Sequence, residues 1–187
     1  LGELFGDHDK EAVQTFGVGW ANRHSLTKDW HGAKSLDKKR FLEQKDLIRQ
    51  SAKSRPWHDY FVNRLMYPIQ DVEGVVTGFT ARAIGDYEPK YLLSSSKGGF
   101  SKGESLYNIN RAIKHIVNET IYVVEGVTDC IAMWLAGYKN TVAILGSDMT
   151  FVQAKLLSKY AKQIVLVLDG DDAGYRATVK IHKMLKR

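Results

Sequence analysis

The sequence predicts an α/β fold, in which an α+β N-terminal subdomain precedes a parallel-sheet βαβαβα subdomain. Three short apolar runs near the C-terminus carry this prediction, at residues 121–124, 141–145 and 164–168. Runs rich in Val, Ile and Leu are typical of strands that are buried on both faces of a parallel sheet. The segments that follow each run have helical patterns, so strand and helix alternate three times. Right-handed crossovers then give a compact parallel sheet with helices on its faces.

The three helices are predicted over residues 128–136, 150–161 and 173–186. Thr128 can cap the first, and Gly137 suits the left-handed residue just past its end. The second opens with Thr150 and Gln153, which form a capping-box pattern. The residues predicted to face the core are Val152, Leu156, Leu157 and Tyr160 on the second helix, and Ala177, Ile181 and Leu185 on the third.

Acidic residues follow the first and third of these strands. Glu125 lies just past the first strand with Asp129 about one helical turn further on, and Asp169 and Asp171 follow the third. Ligands of open parallel sheets bind beyond the carboxyl ends of the strands, so we expect these acids to meet at one edge, with Gly170 allowing the bend. Crowded carboxylates repel one another unless a cation neutralises them, and hard oxygen ligands suit Mg²⁺ or Mn²⁺. The pattern therefore predicts a metal site made of Glu125, Asp129, Asp169 and Asp171.

Each acid also has a structural alternative. An Asp after a strand is often a helix cap or a turn former, and Asp172 is placed to cap the helix that starts at Ala173. Taken singly, either role fits each residue. Two acidic clusters at the ends of two strands of one sheet favour a metal site over caps alone.

Bulk composition excludes several classes of protein. A chain of 187 residues can bury a core and fits one domain or two small ones. No apolar run approaches the roughly 20 residues that span a bilayer, and the N-terminal residues do not resemble a signal peptide. Cys130 is the only cysteine, which excludes an internal disulfide and a multi-cysteine zinc site, so no zinc is expected. A cytoplasmic location is the expectation.

The charge is unevenly distributed. The net charge is +6, and residues 34–114 contain 15 Lys and Arg against 9 Asp and Glu. Residues 121–187 contain 9 against 6, with the acids concentrated in the motifs. A basic region beside a focused acidic site suits an enzyme that holds a polyanion while metal ions manage the reacting phosphates.

The first half of the chain predicts one long helix and a hairpin. Residues 35–51 form the helix, with apolar Leu36, Phe41, Leu47 and Ile48 and a solvated face of Lys38, Lys39, Arg40, Lys45 and Arg49. Residues 65–69 and 75–81 form antiparallel strands around turn residues, with Pro68 at an edge or bulge. An extended segment starts at Pro89, and short helices are predicted over 11–16 and 108–118.

Several motifs resemble a known family in their order and spacing. Glu125-Gly-x-x-Asp129, Leu145-Gly146-Ser147 and Leu168-Asp-Gly-Asp-x-Ala-Gly174 resemble a Toprim domain, a module shared by bacterial primases, topoisomerases and some nucleases. The segments before it resemble the RNA polymerase core of a DnaG-type bacterial primase. They are Asn63-Arg64-Leu-Met-Tyr-Pro-Ile69, Gly78-Phe-Thr-Ala-Arg82, Pro89-Lys-Tyr-Leu-Leu-Ser94, Phe100-Ser-Lys102 and Ser105-Leu-Tyr107. The resemblance runs from about Phe16 to the last residue.

The resemblance implies a function and a domain division. Residues 1–115 would be the basic α+β subdomain of a primase core, and residues 116–187 the Toprim-like metal-binding subdomain. The expected activity is template-directed synthesis of short RNA primers on single-stranded DNA from nucleoside triphosphates. A replicative helicase would bind through regions outside this chain. The residues implied to contact the template or the nucleotide are Arg64, Arg82, Lys90, Tyr91 and Lys102, with Tyr91 stacking on a base or sugar.

The sequence also departs from the family pattern. Val62 stands where the family usually has a further Arg, and Thr80-Ala81 replaces a typical Gly-Gly. Val127-Thr128 replaces bulkier residues between the Glu and the Asp. The family has a third acidic pair beyond the Asp-Gly-Asp motif, which this sequence does not reach. We therefore expect an excerpt of a divergent primase that can be inactive alone.

Three other functions fit parts of the pattern. A Toprim nuclease would use the same acids with water as the nucleophile, but it needs no nucleotide cradle such as Pro89-Lys-Tyr-Leu92. A haloacid-dehalogenase phosphatase also has Asp-x-Asp after a strand, but after its first strand rather than its third. A single-stranded-DNA-binding module without turnover is the non-enzymatic alternative.

Overall fold

The structure is a computed structural model, and it describes residues 6–24, 26–27, 35–50, 52 and 56–186. Ser51, the last residue of the helix predicted over 35–51, lies outside the described residues. The helices are α1 (Asp9–Phe16), α2 (Ser35–Gln44), α3 (Ile109–Ala112), α4 (Val127–Leu135), α5 (Phe151–Leu157) and α6 (Asp172–Leu185). The strands are β1 (Gly19–Ala21), β2 (Ile48–Gln50), β3 (Trp57–Asp59), β4 (Arg64–Gln70), β5 (Val76–Ala83), β6 (Tyr91–Leu93), β7 (Thr120–Val124), β8 (Thr141–Ala143) and β9 (Gln163–Leu166).

The strands form one parallel sheet and two others. The parallel sheet has the order β8-β7-β9, with β7 pairing in parallel with both neighbours. A four-stranded sheet has the order β1-β4-β5-β6, and β2 pairs antiparallel with β3. The connection β7-α4-β8-α5-β9-α6 confirms the predicted α/β class and its alternating order.

The chain divides into two compact units. The parallel-sheet unit comprises Leu1–Thr15, Ile69–Val76 and Lys102–Arg187, and the antiparallel-sheet unit comprises Phe16–Pro68 and Thr77–Ser101. These compact units group residues 1–15, 69–76 and 102–115 with the parallel sheet. The predicted division into functional subdomains after residue 115 stays a prediction.

The core of the parallel-sheet unit is built on β7 and β8. Ile121, Val123 and Val142 are fully buried, and they pack in one cluster with Leu157 of α5 and Ile181 of α6. Burial on both faces, as the sequence predicted, is confirmed for β8, all of whose residues are buried, whereas on β7 Thr120 and Tyr122 are half-buried. It is wrong for β9, whose residues 164–166 are half-buried, because within the described sheet β9 pairs only with β7.

Two of the predicted helix-end features in the parallel-sheet unit are present in the structure. The reciprocal capping box of Thr150 and Gln153 is confirmed, as is the left-handed Gly137, with φ of 96°. The cap of α4 is Gly126 rather than the predicted Thr128, because Asp129 reaches back to the Gly126 N–H.

The buried faces of α5 and α6 are narrower than the sequence predicted. On α5, Gln153, Ala154 and Leu157 are buried while Val152 is 50% exposed. The inward Gln153 rotates the buried stripe by about one residue from the predicted one. Beyond the helix, Tyr160 is 38% exposed, and at the end of α6 Leu185 is 37% exposed.

The antiparallel-sheet unit differs most from the sequence prediction after Gln44. The helix predicted over 35–51 ends there as α2, and Asp46 adopts a positive φ of 51°. Ile48 then starts β2, which pairs with β3 and buries the Ile48 side chain. Tertiary strand pairing therefore overrides the helical pattern. Two of the predicted apolar positions are instead on the surface, with Leu36 67% and Phe41 55% exposed.

The predicted hairpin is present as β4 and β5. Asp71 closes its turn, since the Asp71 Oδ1 accepts hydrogen bonds from the N–H groups of Glu73 and Val75. β4 lies between β1 and β5 rather than at an edge, but its registered pairs with β1 end at Met66, before Pro68. In the part of the chain that the structure describes, every helix is too short or too polar to cross a membrane.

Candidate active site

The carboxyl edge of the parallel sheet brings predicted acids to one place. β7 is followed directly by Glu125, and β9 leads through a short loop to Asp169. Because β7 and β9 are parallel neighbours, both acids lie at the same edge. The backbone N–H of Asp169 donates a hydrogen bond to Glu125 Oε1 at 3.3 Å. The two strand ends are therefore joined at this point.

Asp129 and Asp171 are each oriented by one backbone N–H group. Asp129 Oδ2 accepts from the Gly126 N–H at 3.2 Å, and Asp171 Oδ1 accepts from the Gly174 N–H at 2.8 Å. Asp171 is thus the N-cap of α6. The predicted cap, Asp172, is instead the first residue of the helix, because the helix begins one residue earlier than the sequence indicated. Asp129 and Asp171 each use one carboxylate oxygen in these bonds. No hydrogen bond or ion pair among the described residues engages the second oxygen of either residue.

The surroundings of Glu125 disfavour its charged form. Partial burial raises the pKa of Glu125, and the negative charges of Asp169, Asp171 and Asp129 raise that pKa further. The hydrogen bond from the Asp169 N–H opposes this shift. Each of the three aspartates is therefore close enough to Glu125 to act on it electrostatically, and a cation beside Glu125 would relieve the repulsion.

The chemistry of these side chains fits a divalent cation, in an open rather than a closed arrangement. Among the described residues, no three or more His, Cys, Asp or Glu side chains converge closely enough to hold a metal ion. Mg²⁺ is usually bound by one or two carboxylates, with water and substrate phosphates as its other ligands. Glu125 and Asp169 fit that mode of binding. The predicted site with four carboxylates stays a prediction.

Lys102 lies at the same edge as the acids. Its side chain crosses Gly146, which follows β8, so a Cβ built on Gly146 would lie 2.6 Å from Lys102 Nζ. β8 is the neighbour of β7 in the sheet, which places this ammonium at the strand end next to that of Glu125. The Lys102 side chain is exposed, and none of the ion pairs among the described residues involves it.

Arg64 has a structural role in the antiparallel-sheet unit. It is 6% exposed, and its Nη1 donates hydrogen bonds to the carbonyl oxygens of Pro89, at 2.6 Å, and of Lys90, at 3.5 Å. The buried guanidinium thus holds the segment that leads into β6, whereas the Lys90 side chain is exposed. A direct contact between Arg64 and the template or nucleotide stays a prediction.

Arg82 and Tyr91 form a cationic and aromatic pair. They are register partners across β5 and β6, and the Arg82 guanidinium carbon lies 5.9 Å from the Tyr91 ring centroid. Tyr91 is 36% exposed. An accessible ring beside a guanidinium suits a nucleobase or sugar together with its phosphate.

Tyr67, which sequence patterns did not single out, lies in the electrostatic environment of this pair. It is completely buried, and its hydroxyl has no hydrogen-bond partner within the described structure. Burial raises the pKa of Tyr67 to about 12, with Tyr91 adding to the shift and Arg82 opposing it. The phenol is therefore held neutral without a partner.

Tyr67→Phe is expected to stabilise the protein by about 1 kcal/mol, because an unpaired buried hydroxyl is costly. The gain should increase at alkaline pH. The pKa of an unfolded tyrosine is near 10, and that of Tyr67 in the folded protein is about 12. As the pH rises between these two values, ionisation of Tyr67 in the unfolded state lowers the stability of wild type, and the Phe variant lacks this loss. Urea unfolding near pH 8 and near pH 11 measures both effects, with the exposed Tyr87→Phe as the control. A variant less stable than wild type near pH 8 would contradict the assignment.

A cavity of about 500 Å³ in the antiparallel-sheet unit contains none of the predicted site residues. One wall is Asp59, which is 2% exposed and accepts a hydrogen bond from the Leu26 N–H at 2.7 Å. Its other oxygen has no partner among the described residues. The cavity is built from separate segments, so no local motif could have found it. The lining residues include Arg23, His24, His58, Asn63 and Tyr87.

Two family models match the chain. The first is the N-terminal domain of the DNA primase catalytic core, over residues 7–113. The second is the Toprim domain, over residues 119–187. Together they cover both halves of the chain.

Related proteins agree with these matches. A DNA primase of Clostridium acetobutylicum is 36% identical over 181 residues, which are 95% of this chain and 30% of that protein. A DNA primase domain from Pseudomonas aeruginosa superimposes with a TM-score of 0.82 at 31% identity, over 94% of this chain and 55% of that one. A DnaG primase catalytic domain bound to single-stranded DNA gives a TM-score of 0.80 at 29% identity, over 93% and 56%. The chain thus spans 30% of the length of the curated relative and little more than half of the solved domains.

Proposed function

The chain belongs to the family of DNA primase catalytic cores, and we propose that it carries out the work of that core: template-directed synthesis of short RNA primers on single-stranded DNA. The reaction joins nucleoside triphosphates through nucleotidyl transfer and releases pyrophosphate. Such synthesis serves DNA replication in the cytoplasm, with a replicative helicase bound through other regions of the protein.

The carboxyl edge of the parallel sheet is the observation that carries this proposal. Glu125 and Asp169 are joined there by a hydrogen bond, and the Lys102 ammonium lies at the next strand end. An acidic pair beside an exposed cation suits a nucleotide whose phosphates are bound by both a metal ion and a lysine.

The chain's own residues would share the chemistry at this edge. Glu125 and Asp169, with Asp129 and Asp171 nearby, would hold a divalent cation, Mg²⁺ or Mn²⁺, which would supply Lewis-acid activation of the primer 3′-hydroxyl and charge neutralisation at the α-phosphate. Lys102 binds a phosphate oxygen of the incoming nucleotide as a compact point charge. The Asp169 N–H engages one Glu125 oxygen, and the other oxygen would bind the cation or accept the hydroxyl proton.

The antiparallel-sheet unit supplies candidate contacts to nucleic acid. The Arg82 and Tyr91 pair and the exposed Lys90 lie on or beside β6. Base stacking on an aromatic ring and phosphate contacts from Lys and Arg give sequence-tolerant binding that weakens with salt. A solved relative bound to single-stranded DNA supports the same partner here.

A primer-synthesis assay on single-stranded DNA tests the proposal. The full-length protein is incubated with poly(dT), labelled ATP and Mg²⁺ or Mn²⁺, and products and template are resolved on one gel. Template-dependent RNA supports the proposal. Shortened template without RNA would identify a nuclease, and retention of template without either product would identify a binding module.

Lys102→Met is expected to raise the KM for ATP about tenfold in this assay, because the charge on a phosphate oxygen is lost. Lys155→Met is the matched control, since Lys155 is an exposed cation on α5 and the substitution removes the same charge. Its KM should stay within about twofold of wild type. Equal effects of the two substitutions would refute a specific phosphate contact at Lys102.

A further inference from the structure

We infer that Gly146, Thr150 and Gln153 are positioning residues, which together hold the Lys102 ammonium at the carboxyl edge of the parallel sheet. The use that the site makes of this ammonium, binding of a nucleoside triphosphate, rests on the proposed function. The positioning itself rests on hydrogen bonds and on a close approach within the parallel-sheet unit.

Thr150 and Gln153 first cap the helix that they begin. Thr150 Oγ1 accepts a hydrogen bond from the Gln153 N–H at 3.1 Å, and Gln153 Oε1 accepts one from the Thr150 N–H at 2.9 Å. This reciprocal pair fixes the orientation of both side chains. It accounts for one end of the Gln153 amide and leaves the other end for a second task.

The same two side chains also bind the segment that carries Lys102. Gln153 Nε2 donates to the carbonyl oxygen of Ser105 at 2.7 Å and more weakly to that of Lys102 at 3.3 Å. The Thr150 hydroxyl donates to the carbonyl oxygen of Gly103. Three carbonyls of one short turn are therefore tied to the start of α5. A helix cap needs none of these bonds, so their effect is on the turn.

Burial makes this connection firm. Gln153 is 1% exposed, so water cannot replace the bonds that its amide makes to the turn. A buried amide that loses a partner bears the full cost of desolvation, whereas a satisfied one rigidifies its surroundings. The turn at Lys102–Glu104 is thus anchored to α5 while the Lys102 side chain itself stays in solvent.

The end of the Lys102 side chain lies directly over the backbone of Gly146. A Cβ at this position would lie 2.6 Å from Lys102 Nζ and 3.1 Å from Lys102 Cε. Any larger residue would therefore displace the end of the lysine rather than the backbone. The anchored turn and the absence of a side chain at Gly146 together define where the Lys102 ammonium can lie.

A double-mutant cycle tests whether Gln153 acts through Lys102. ATP binding in the presence of Mn²⁺ is measured by calorimetry for wild type, Gln153→Leu, Lys102→Met and the double variant. We expect Gln153→Leu to weaken ATP binding about fivefold in wild type and less than about twofold in the Lys102→Met background, since residues in one network are non-additive. A general structural role would weaken binding by the same factor in both backgrounds, which would overturn the inference.

Gly146→Ala tests the close approach of Lys102 to Gly146 without changing the hydrogen bonds that Thr150 and Gln153 make to the turn. The only atoms that meet the new methyl group belong to the end of a flexible side chain, so the melting temperature should stay close to that of wild type. ATP binding should weaken about fivefold, and the loss should again vanish in the Lys102→Met background. Thr150→Ser retains the hydroxyl and should bind ATP as wild type does, whereas Thr150→Val should not.

Hydrogen exchange separates this inference from the proposed function. Gln153→Leu removes the amide donor to the turn, while the Thr150 hydroxyl still accepts from the N–H of residue 153 and keeps that half of the cap of α5. We expect faster exchange at residues 103–107 and unchanged exchange within α5. Unchanged exchange at 103–107 would overturn the positioning role. If wild type does not bind ATP, or if Lys102→Met binds ATP as wild type does, the nucleotide function is refuted. The exchange result would still show whether Gln153 positions the turn that carries Lys102.

Discussion

Glu125→Gln is expected to lower template-directed primer synthesis about 10³-fold while raising the melting temperature of the metal-free protein. The loss lies in the range for removal of a positioned acid or base, which is about 10²–10⁴. The amide still accepts the hydrogen bond from the Asp169 N–H but neither binds a hard cation well nor accepts a proton. Activity and stability should therefore change in opposite directions.

The gain in stability follows from the direction of the pKa shift. Burial and the neighbouring carboxylates raise the pKa of Glu125, so the folded state disfavours the charged form more than the unfolded state does. Stability is then lost as the pH rises from the ordinary value of a glutamate through the raised one. The Glu125→Gln substitution removes this loss because the new amide carries no charge.

Glu119, a surface glutamate at the other end of β7 from Glu125, provides the control. Glu119 is exposed and forms a surface ion pair with Lys162 at 2.6 Å, so Glu119→Gln should change neither activity nor melting temperature appreciably. Mn²⁺ should raise the melting temperature of wild type and of Glu119→Gln, but not of Glu125→Gln. Primer synthesis by Glu125→Gln within about fivefold of wild type would exclude an essential role for this carboxylate.

The parallel sheet and its acidic edge could be predicted because both follow from local signals. Apolar runs separated by helical patterns allow one simple arrangement, and in a parallel sheet every strand ends at the same edge. That Glu125 and Asp169 share this edge needs only this topology, whereas the pairing of β9 with β7, which makes them neighbours, is seen only in the structure. The capping box of Thr150 and Gln153 is equally local, which is why it appears in the structure as expected.

Features that depend on distant partners could not be predicted in this way. Helix α2 ends early because Ile48 pairs with a strand whose position the local pattern does not contain. The sequence shows Gln153 only as a cap, whereas its bonds to Ser105 and Lys102 cross 48 and 51 positions of the chain. The role of Arg64 in holding Pro89 is hidden for the same reason.

The acidic segment after β9 contains two glycines, Gly170 in the loop and Gly174 in the first turn of α6. Sequence reasoning chose the wrong one as structurally required. A Cβ on Gly170 would meet no atom within 4 Å, and Gly170 is not among the residues with positive φ. A Cβ on Gly174 would overlap the carbonyl oxygen of Asp169 and lie 2.9 Å from its carbonyl carbon. The first turn of α6 thus packs directly on the backbone of Asp169.

Gly174→Ala is therefore expected to destabilise the protein by about 3 kcal/mol or more, since overpacking against backbone cannot be relieved by a rotamer change. Gly170→Ala, four residues earlier in the loop before α6, should stay within about 0.5 kcal/mol of wild type. Urea unfolding of the three proteins at low temperature measures the difference. Mn²⁺ should stabilise wild type and Gly170→Ala, and should stabilise Gly174→Ala much less, because the new methyl group moves Asp169 from its place beside Glu125. Equal stability and equal Mn²⁺ response of the two variants would mean that the loop can shift freely, and Asp169 would then not be held in place by its contact with α6.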